Sequence, residues 1–397
     1  MMALGADAII GVVGAGAMGA GIAQVAAAAG HRVVLVDALP ASVERARTEH
    51  VKAMARDVEK SRRTRADADA VLARFTYVEG ADAAHLAALA PCAMVIEAVI
   101  EDLAAKRALF RSLERVVSAT AVLASNTSSL SIAALAGASE RSERMIGVHF
   151  FNPAPVMPLV EIVPALTTDP ALVPIVRALI DTWGKTTVVA SDTPGFIVNR
   201  IARPFYGEAL RLHEEGVADC ATIDWAMRDI GGFRMGPFEL MDFIGNDINY
   251  AVTCSVFEAM SYDPRYKPAL QQRRLVEAGW LGRKSGHGYY DYREGASMPE
   301  PNTDRALGAD IVQRVLAMLI NEAVDAVHLR VASATDIELA MTRGVNYPRG
   351  LLAWGDAIGP ARVLETLASL HAEYGEDRYR PSVRLRRAVA SGASLLS

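Results

Sequence analysis

The sequence predicts an α/β, doubly wound domain over residues 1–192, an all-α domain over 193–292, and a duplicated all-α domain over 310–397. Three observations carry this. Short apolar runs alternate with amphipathic stretches through the first half, the pattern of a parallel sheet covered by helices. Asp192-Thr193-Pro194-Gly195 then breaks the chain, and apolar residues recur at helical spacing beyond it. Residues 197–245 align without gaps to residues 311–359, with fourteen identities in forty-nine positions.

The first strand is expected over 9–13. Gly14-Ala15-Gly16-Ala17-Met18-Gly19 follows at once, an Ala-rich helix runs to Ala29, and a second strand over 31–36 is closed by Asp37. A G-x-G-x-x-G run is weak alone. Between a strand and a helix, with a carboxylate ending the next strand, it is a dinucleotide fingerprint of Rossmann-like type. The first glycine allows the turn, the second lets backbone approach a pyrophosphate, and the third lets helix and strand pack. Asp37 suits the ribose hydroxyls and repels a 2′-phosphate, which favours NAD over NADP. Further strands are expected over 75–78, 94–99 and 121–125, so Glu97–Glu101 and Ser125–Ser129 fall at the carboxyl edge, where such sheets bind ligands. Ser and Asn there equally suit a cap for the helix expected near Ile132.

Residues 42–72 read as one or two helices with Val43, Ala46, Val51, Met54 and Val58 on the buried face. Lys52, Arg56, Lys60, Arg62, Arg63 and Arg65 lie on the other face, which fits a solvated surface or a phosphate-bearing handle. Residues 145–164 hold His149 and Glu161, twelve apart, in two short β-prone runs joined by Asn152-Pro153-Ala154-Pro155. Neighbouring strands can set the two side by side, and a carboxylate-held imidazole suits proton abstraction. These residues alone fit a core histidine with a structural glutamate equally well.

The helical half is expected to contain helices over 197–216, 222–229 and 237–260, and a linker over 293–309. In the repeat, Glu208, Ala226, Gly236 and Asp242 recur as Glu322, Ala340, Gly350 and Asp356, whereas Asn199 becomes Gln313. Nothing like the His149 stretch precedes the second copy, which predicts one active site per chain. A formal charge of −5 and a pI near 6.0 argue against nucleic-acid or membrane-surface partners. Cys92, Cys220 and Cys254 have neither disulfide nor zinc spacing, so a reducing compartment and no metal are expected. Residues 8–36 are largely apolar but hold six glycines and no basic leader, and they read as strand, turn, helix and strand of a cytoplasmic protein.

With GAGAMGAGIAQVAAAAGHRVVLVD, VIEAVIEDLAAK, SNTSSL, HFFNPAPVMPLVEIV, DTPGFIVNR, MGPFEL and GRKSGHGYYDY in this order, the chain resembles the L-3-hydroxyacyl-CoA dehydrogenase family, 3-hydroxybutyryl-CoA dehydrogenase type. Its carboxy-terminal INEAV, GVNYPRGLLAWGD and HAEYGEDRYRPS resemble the longer bacterial members linked to phenylacetate degradation. The resemblance implies NAD-dependent oxidation of a 3-hydroxyacyl-CoA, with His149 as base, Glu161 orienting it, and Ser128 and Asn199 beside the reacting carbon. It implies dinucleotide contacts from Asp37, Glu101, Lys106, Asn152 and Lys284, and a coenzyme A contact from Lys60. It further implies that short members pair through their helical domains, so that the second copy here forms a pseudo-dimer within the chain; further association of whole chains is left open. Two other readings share the fold: a dehydrogenase of a free hydroxy or sugar acid, and a non-enzymatic nucleotide-binding protein.

Overall fold

Runs rich in valine and isoleucine are stiff at χ1 and suit a pleated surface. In the computed structural model, which describes residues 4–5 and 7–397, they form one eight-stranded sheet. Its strands are β1 (Ile10–Val13), β2 (Val33–Asp37), β3 (Phe75–Glu79), β4 (Met94–Glu97), β5 (Val122–Ser125), β6 (Met145–Phe150), β7 (Leu159–Pro164) and β8 (Thr186–Val189). The order is β3-β2-β1-β4-β5-β6-β7-β8, and every neighbouring pair is parallel except β6 and β7. β1 and β4 are buried at every position, as central strands covered on both faces must be. The chain divides into two compact units, Met1–Thr193 and Pro194–Ser397. The sheet lies wholly in the first.

Several boundaries differ from the sequence expectation for local reasons. Residues 42–72 form two helices, Pro40–Glu59 and Arg65–Leu72, because Thr64 and Asp67 make a capping box that starts the second. The helix expected over 197–216 is interrupted at Ala202, giving Val198–Ile201 and Arg203–Glu214. The one expected over 237–260 is broken at Gly245, whose φ of 105° leaves the helical region, into Pro237–Ile244 and Asn246–Ala259. β8 was not foreseen, since its two threonines dilute the apolar signal. No helix among the described residues is long and apolar enough to cross a membrane.

The second unit holds both copies of the repeat. The sequence places Val312, Val315, Leu319, Ala323 and Val327 on one apolar face between the copies, and in the structure they lie on the helix Arg305–His328. That helix is instead buried on nearly every side, packing on Arg203–Glu214 and on the wide turn Ala226–Ile230 of the first copy as well as on helices of its own copy. Val315, Leu319 and Ala323 are fully enclosed.

The polar contacts between the copies are reciprocal. Arg200 Nε donates to Glu322 at 2.6 Å, and the aligned Arg314 Nε donates to the aligned Glu208 at 3.1 Å. Tyr266 Oη donates to Glu322 at 2.6 Å, and Tyr379 Oη to Glu208 at 3.0 Å. Residue i meeting j while j meets i is the pattern of an isologous, two-fold interface. Internal features repeat too: Asp224 accepts from the Phe238 and Glu239 amides, and Glu338 from those of Leu352 and Ala353.

Glu322 is fully buried. Burial pushes its carboxyl up, but the Arg200 and Arg265 charges outweigh burial and hold it below the ordinary carboxylate range. Its contribution to stability is therefore present above that range and is lost as pH falls through the depressed folded value. Replacing it strands the buried Arg200 guanidinium and leaves Arg265 with Asp325 alone, so Glu322→Gln is expected to cost about 3–5 kcal/mol in urea unfolding at neutral pH. The gap between wild type and variant should close as the pH is lowered; a constant gap would contradict the ion-pair account.

Candidate active site

The antiparallel step from β6 to β7 sets His149 directly opposite Glu161. His149 Nδ1 lies 2.7 Å from Glu161 Oε2. Glu161 is fully buried and His149 is 5% exposed, so the carboxylate is screened from solvent while the ring keeps one edge towards it. Phe151 packs against the imidazole at 4.5 Å between centroids. The bond to Glu161 fixes the ring orientation.

The glycine turn after β1 is shaped as its sequence predicts. A Cβ on Gly14 would lie 2.4 Å from the Ala98 carbonyl oxygen, and one on Gly19 1.7 Å from that of Gly14. A Cβ on Gly16 would meet nothing within 4 Å. That open side faces the start of the helix Ala17–Ala28, which has neither a side-chain cap nor an acidic residue in its first turn. Its unpaired amides are available to a pyrophosphate. Asp37 braces the turn, accepting from the Ala15 amide at 2.6 Å and the Leu39 amide at 2.8 Å. A carboxylate has about four lone-pair sites, which leaves capacity for ribose hydroxyls.

A second network stands at the ends of β4 and β5. Glu97, fully buried, accepts from Lys106 Nζ at 2.6 Å, Ser125 Oγ at 2.6 Å and the Val99 amide at 2.7 Å. Lys106 also pairs with Glu101 at 3.1 Å. Glu101 accepts from Thr127 Oγ1 at 2.5 Å, from the Ser128 and Ser129 amides and from Ser129 Oγ. Burial pushes the Glu101 carboxyl up, but the Lys106 charge and the Thr127 hydroxyl outweigh it and keep it ionised. The Ser128 backbone is thereby fixed while its hydroxyl makes no hydrogen bond among the described residues. Asn126 Oδ1 accepts from the Phe150 amide at 2.9 Å, which ties this loop to the strand bearing His149. The helix Ile132–Ala136 is capped by Ser131, and Asp192 accepts from the Ile132 and Ala133 amides.

The first unit thus brings together His149 and Glu161, the glycine turn with Asp37, and the Glu101, Lys106 and Ser128 network. Asn152 is exposed in the loop that leaves β6. Lys60 ends the helix Pro40–Glu59 and lines a cleft of about 910 Å³ with Arg56, Arg62, Arg63, Pro153 and Pro155. Asn199 and Lys284 belong to the second unit, where Lys284 Nζ pairs with Asp247 at 2.6 Å.

Comparison with known proteins gives this geometry a setting. The family profile "3-hydroxyacyl-CoA dehydrogenase, NAD binding domain" matches residues 9–193, and the profile "3-hydroxyacyl-CoA dehydrogenase, C-terminal domain" matches both 195–292 and 311–394. The chain belongs to the 3-hydroxyacyl-CoA dehydrogenase family. The 3-hydroxyadipyl-CoA dehydrogenase of Escherichia coli K12 is 39% identical, over 95% of this chain and 96% of that protein. A probable 3-hydroxybutyryl-CoA dehydrogenase of Bacillus subtilis is 42% identical over 72% of this chain and 98% of its own length. The crystal structure of 3-hydroxybutyryl-CoA dehydrogenase from Escherichia coli K12 superposes with a TM-score of 0.92 at 37% identity, covering 97% of this chain and 99% of that one. This 3-hydroxyacyl-CoA dehydrogenase family member therefore carries the family's NAD-binding domain and two copies of its C-terminal domain, and the Bacillus relative is the shorter protein.

Sequence reasoning did not single out Glu97 or Asn126 as organisers of the site. The readable signal for Glu97 is a carboxylate ending the otherwise apolar run Met94–Glu97, a position that needs a buried cation such as Lys106. If Asp37 selects the dinucleotide, Asp37→Ser should narrow the preference for NAD over NADP by about 10- to 100-fold, the scale of removing one like-charge juxtaposition. Initial rates with each dinucleotide measure this, and an unchanged ratio would reject the role.

Proposed function

We propose that this protein oxidises 3-hydroxyacyl-CoA thioesters to 3-oxoacyl-CoA with NAD as acceptor. The observation that carries the reading is the in-register His149–Glu161 pair, 2.7 Å apart, in the same unit as a glycine cradle open at Gly16. NAD bound on that cradle supplies the hydride acceptor. His149 takes the proton of the substrate hydroxyl as the hydride leaves the carbon, and returns it in the reverse direction. Glu161 holds the ring and stabilises the imidazolium form. Ser128 and Asn199 hold the substrate oxygen. Glu101, Lys106, Asn152 and Lys284 serve the dinucleotide.

The cleft lined by Arg56, Lys60, Arg62 and Arg63 supports a coenzyme A substrate rather than a free acid. It gathers four cations against Asp57 and Asp67 on the near side of the loop that leaves β6. Such a surface suits a phosphorylated nucleotide handle, and the named activities of the relatives in Escherichia coli and Bacillus subtilis are both on coenzyme A thioesters. Activity with the thioester and none with the matching free acid, followed by NADH absorbance, is the expected result. Turnover of the free acid alone would overturn the reading. His149→Gln is expected to lower kcat by about 10²–10⁴-fold with NADH affinity held. Glu161→Gln should lower kcat as well, and the double variant should be little worse than His149→Gln, because residues acting as a unit are not additive.

The second helical copy takes the place of a partner subunit in this reading. The reciprocal pairs Arg200–Glu322 and Arg314–Glu208 support it. A tethered copy meets its counterpart at a high effective concentration. Truncation after Gly295 should uncover the apolar surface that Arg305–His328 covers and drive dimerisation or aggregation. A soluble monomer of unchanged stability in light scattering and thermal unfolding would reject the idea.

A further inference from the structure

Six arginines are buried among the described residues: Arg144, Arg200, Arg203, Arg265, Arg314 and Arg378. Five have a carboxylate within 4.0 Å: Arg144 has Glu114, Arg200 and Arg265 share Glu322, and Arg314 and Arg378 share Glu208. Arg203 is the exception. It is 7% exposed and makes no ion pair among the described residues. Its Nε donates to the Asn199 carbonyl at 2.9 Å and its Nη1 to Thr253 Oγ1 at 3.0 Å, both neutral acceptors. The guanidinium stands over the Tyr206 ring at 4.9 Å. Burial pushes it down from its ordinary value, and the groups opposing that shift are two phenols, Tyr206 and Tyr347. An arginine stays charged in a protein, so this is a buried cation without a counter-charge, an arrangement that costs stability unless something compensates it.

A second orphan lies beside it. Tyr347 is 7% exposed, and its hydroxyl is buried without a hydrogen-bond partner. Its ring packs on Phe205, two residues after Arg203, at 5.9 Å. Tyr347 comes from the second helical copy, whereas Arg203 comes from the first. The position aligned with Arg203 in the second copy is Ala317, so the repeat itself does not require a cation there. A buried cation held only by neutral acceptors and a buried hydroxyl without a partner match what a single carboxylate offers: one negative charge and several lone-pair sites.

We propose that Arg203, assisted by Tyr347, recognises the distal carboxylate of a dicarboxylic 3-hydroxyacyl-CoA. The inference rests on the dehydrogenase reading above, in which Asn199 holds the substrate oxygen. Arg203 lies four residues beyond Asn199 and its guanidinium bonds the Asn199 carbonyl at 2.9 Å, so the cation stands beside the residue that holds the substrate oxygen in that reading. A methyl-terminated chain would leave the guanidinium unpaired, whereas a carboxylate would neutralise it with charge-assisted bonds. Arg203 is thus a specificity residue, and the second copy contributes to the site through Tyr347.

The test uses the full-length protein and a matched pair, the 3-hydroxy diacid and the 3-hydroxy monoacid of six carbons, each as its coenzyme A thioester. Wild type should favour the diacid in kcat/KM. Arg203→Gln should lower the diacid-to-monoacid ratio by about 10- to 100-fold, the scale for unpairing a desolvated charge. Tyr347→Phe should lower the ratio by a smaller factor without lowering the thermal midpoint, since it removes a hydroxyl the empty fold leaves unpaired. Equal losses on both substrates in Arg203→Gln would make the residue structural and overturn the inference, as would an unchanged ratio in both variants. Wild type that oxidises the monoacid and shows no preference for the diacid overturns this inference alone. Wild type that oxidises neither thioester overturns the dehydrogenase reading beneath it.

Discussion

The reversal of strand direction between β6 and β7 is the constraint on which the candidate chemistry depends. Side chains alternate along a strand with a period of two, so a one-residue slip would turn Glu161 to the opposite face. The register that pairs Ile146 with Pro164 and Phe150 with Val160 brings His149 opposite Glu161. That register is held from both sides. Every residue of β6 and all of β7 but Pro164 are buried, and Asn126 pins the Phe150 amide from the neighbouring loop. The carboxylate needs no solvent access because its partner is built into the same ladder. A site made this way is as rigid as the sheet that carries it, which is what proton transfer at a fixed atom requires.

The site's polar groups share a second property: few of them stand alone. Glu97 takes three donors, Glu101 takes four and pairs with Lys106, and Asp37 takes two amides. Buried polar clusters are costly when half satisfied and specific when complete. Here completeness fixes the loops after β4 and β5 as backbone objects, while the Ser128 hydroxyl makes no hydrogen bond among the described residues and the helix start at Ala17 has no side-chain cap. Against this background of filled valences, the guanidinium of Arg203, held by neutral acceptors alone, and the bare hydroxyl of Tyr347 stand out.

Much of this was legible before any coordinates. The glycine turn announces itself because its residues are dictated by backbone clearance, and backbone clearance is local. The His149–Glu161 pairing was readable as two β-prone runs around a proline-containing turn, since a hairpin-like return is also local. What escaped was set by distance in sequence. That Glu97 would meet Lys106 and Ser125, or that Arg200 would meet Glu322 across 122 positions, follows from tertiary packing. The repeat came closest to bridging that gap. Once residues 197–245 and 311–359 align, the reciprocal ion pairs follow from symmetry, although their existence does not. The Gly245 break, the Ala202 interruption and the strand Thr186–Val189 were missed because apolar spacing continues through the first two and is diluted in the third.

In a homodimer every substitution is made twice, and a change near the symmetry axis is opposed to itself. Joining the two helical copies in one chain removes that rule. Asn199 can remain asparagine while its counterpart is Gln313, and Arg203 can face Tyr347 while their counterparts are Ala317 and Phe233. The surfaces that still obey the old symmetry, Arg200 with Glu322 and Arg314 with Glu208, are those that hold the copies together. Elsewhere the two copies differ, and in the proposed reading the second becomes an accessory that shapes one site without keeping one of its own.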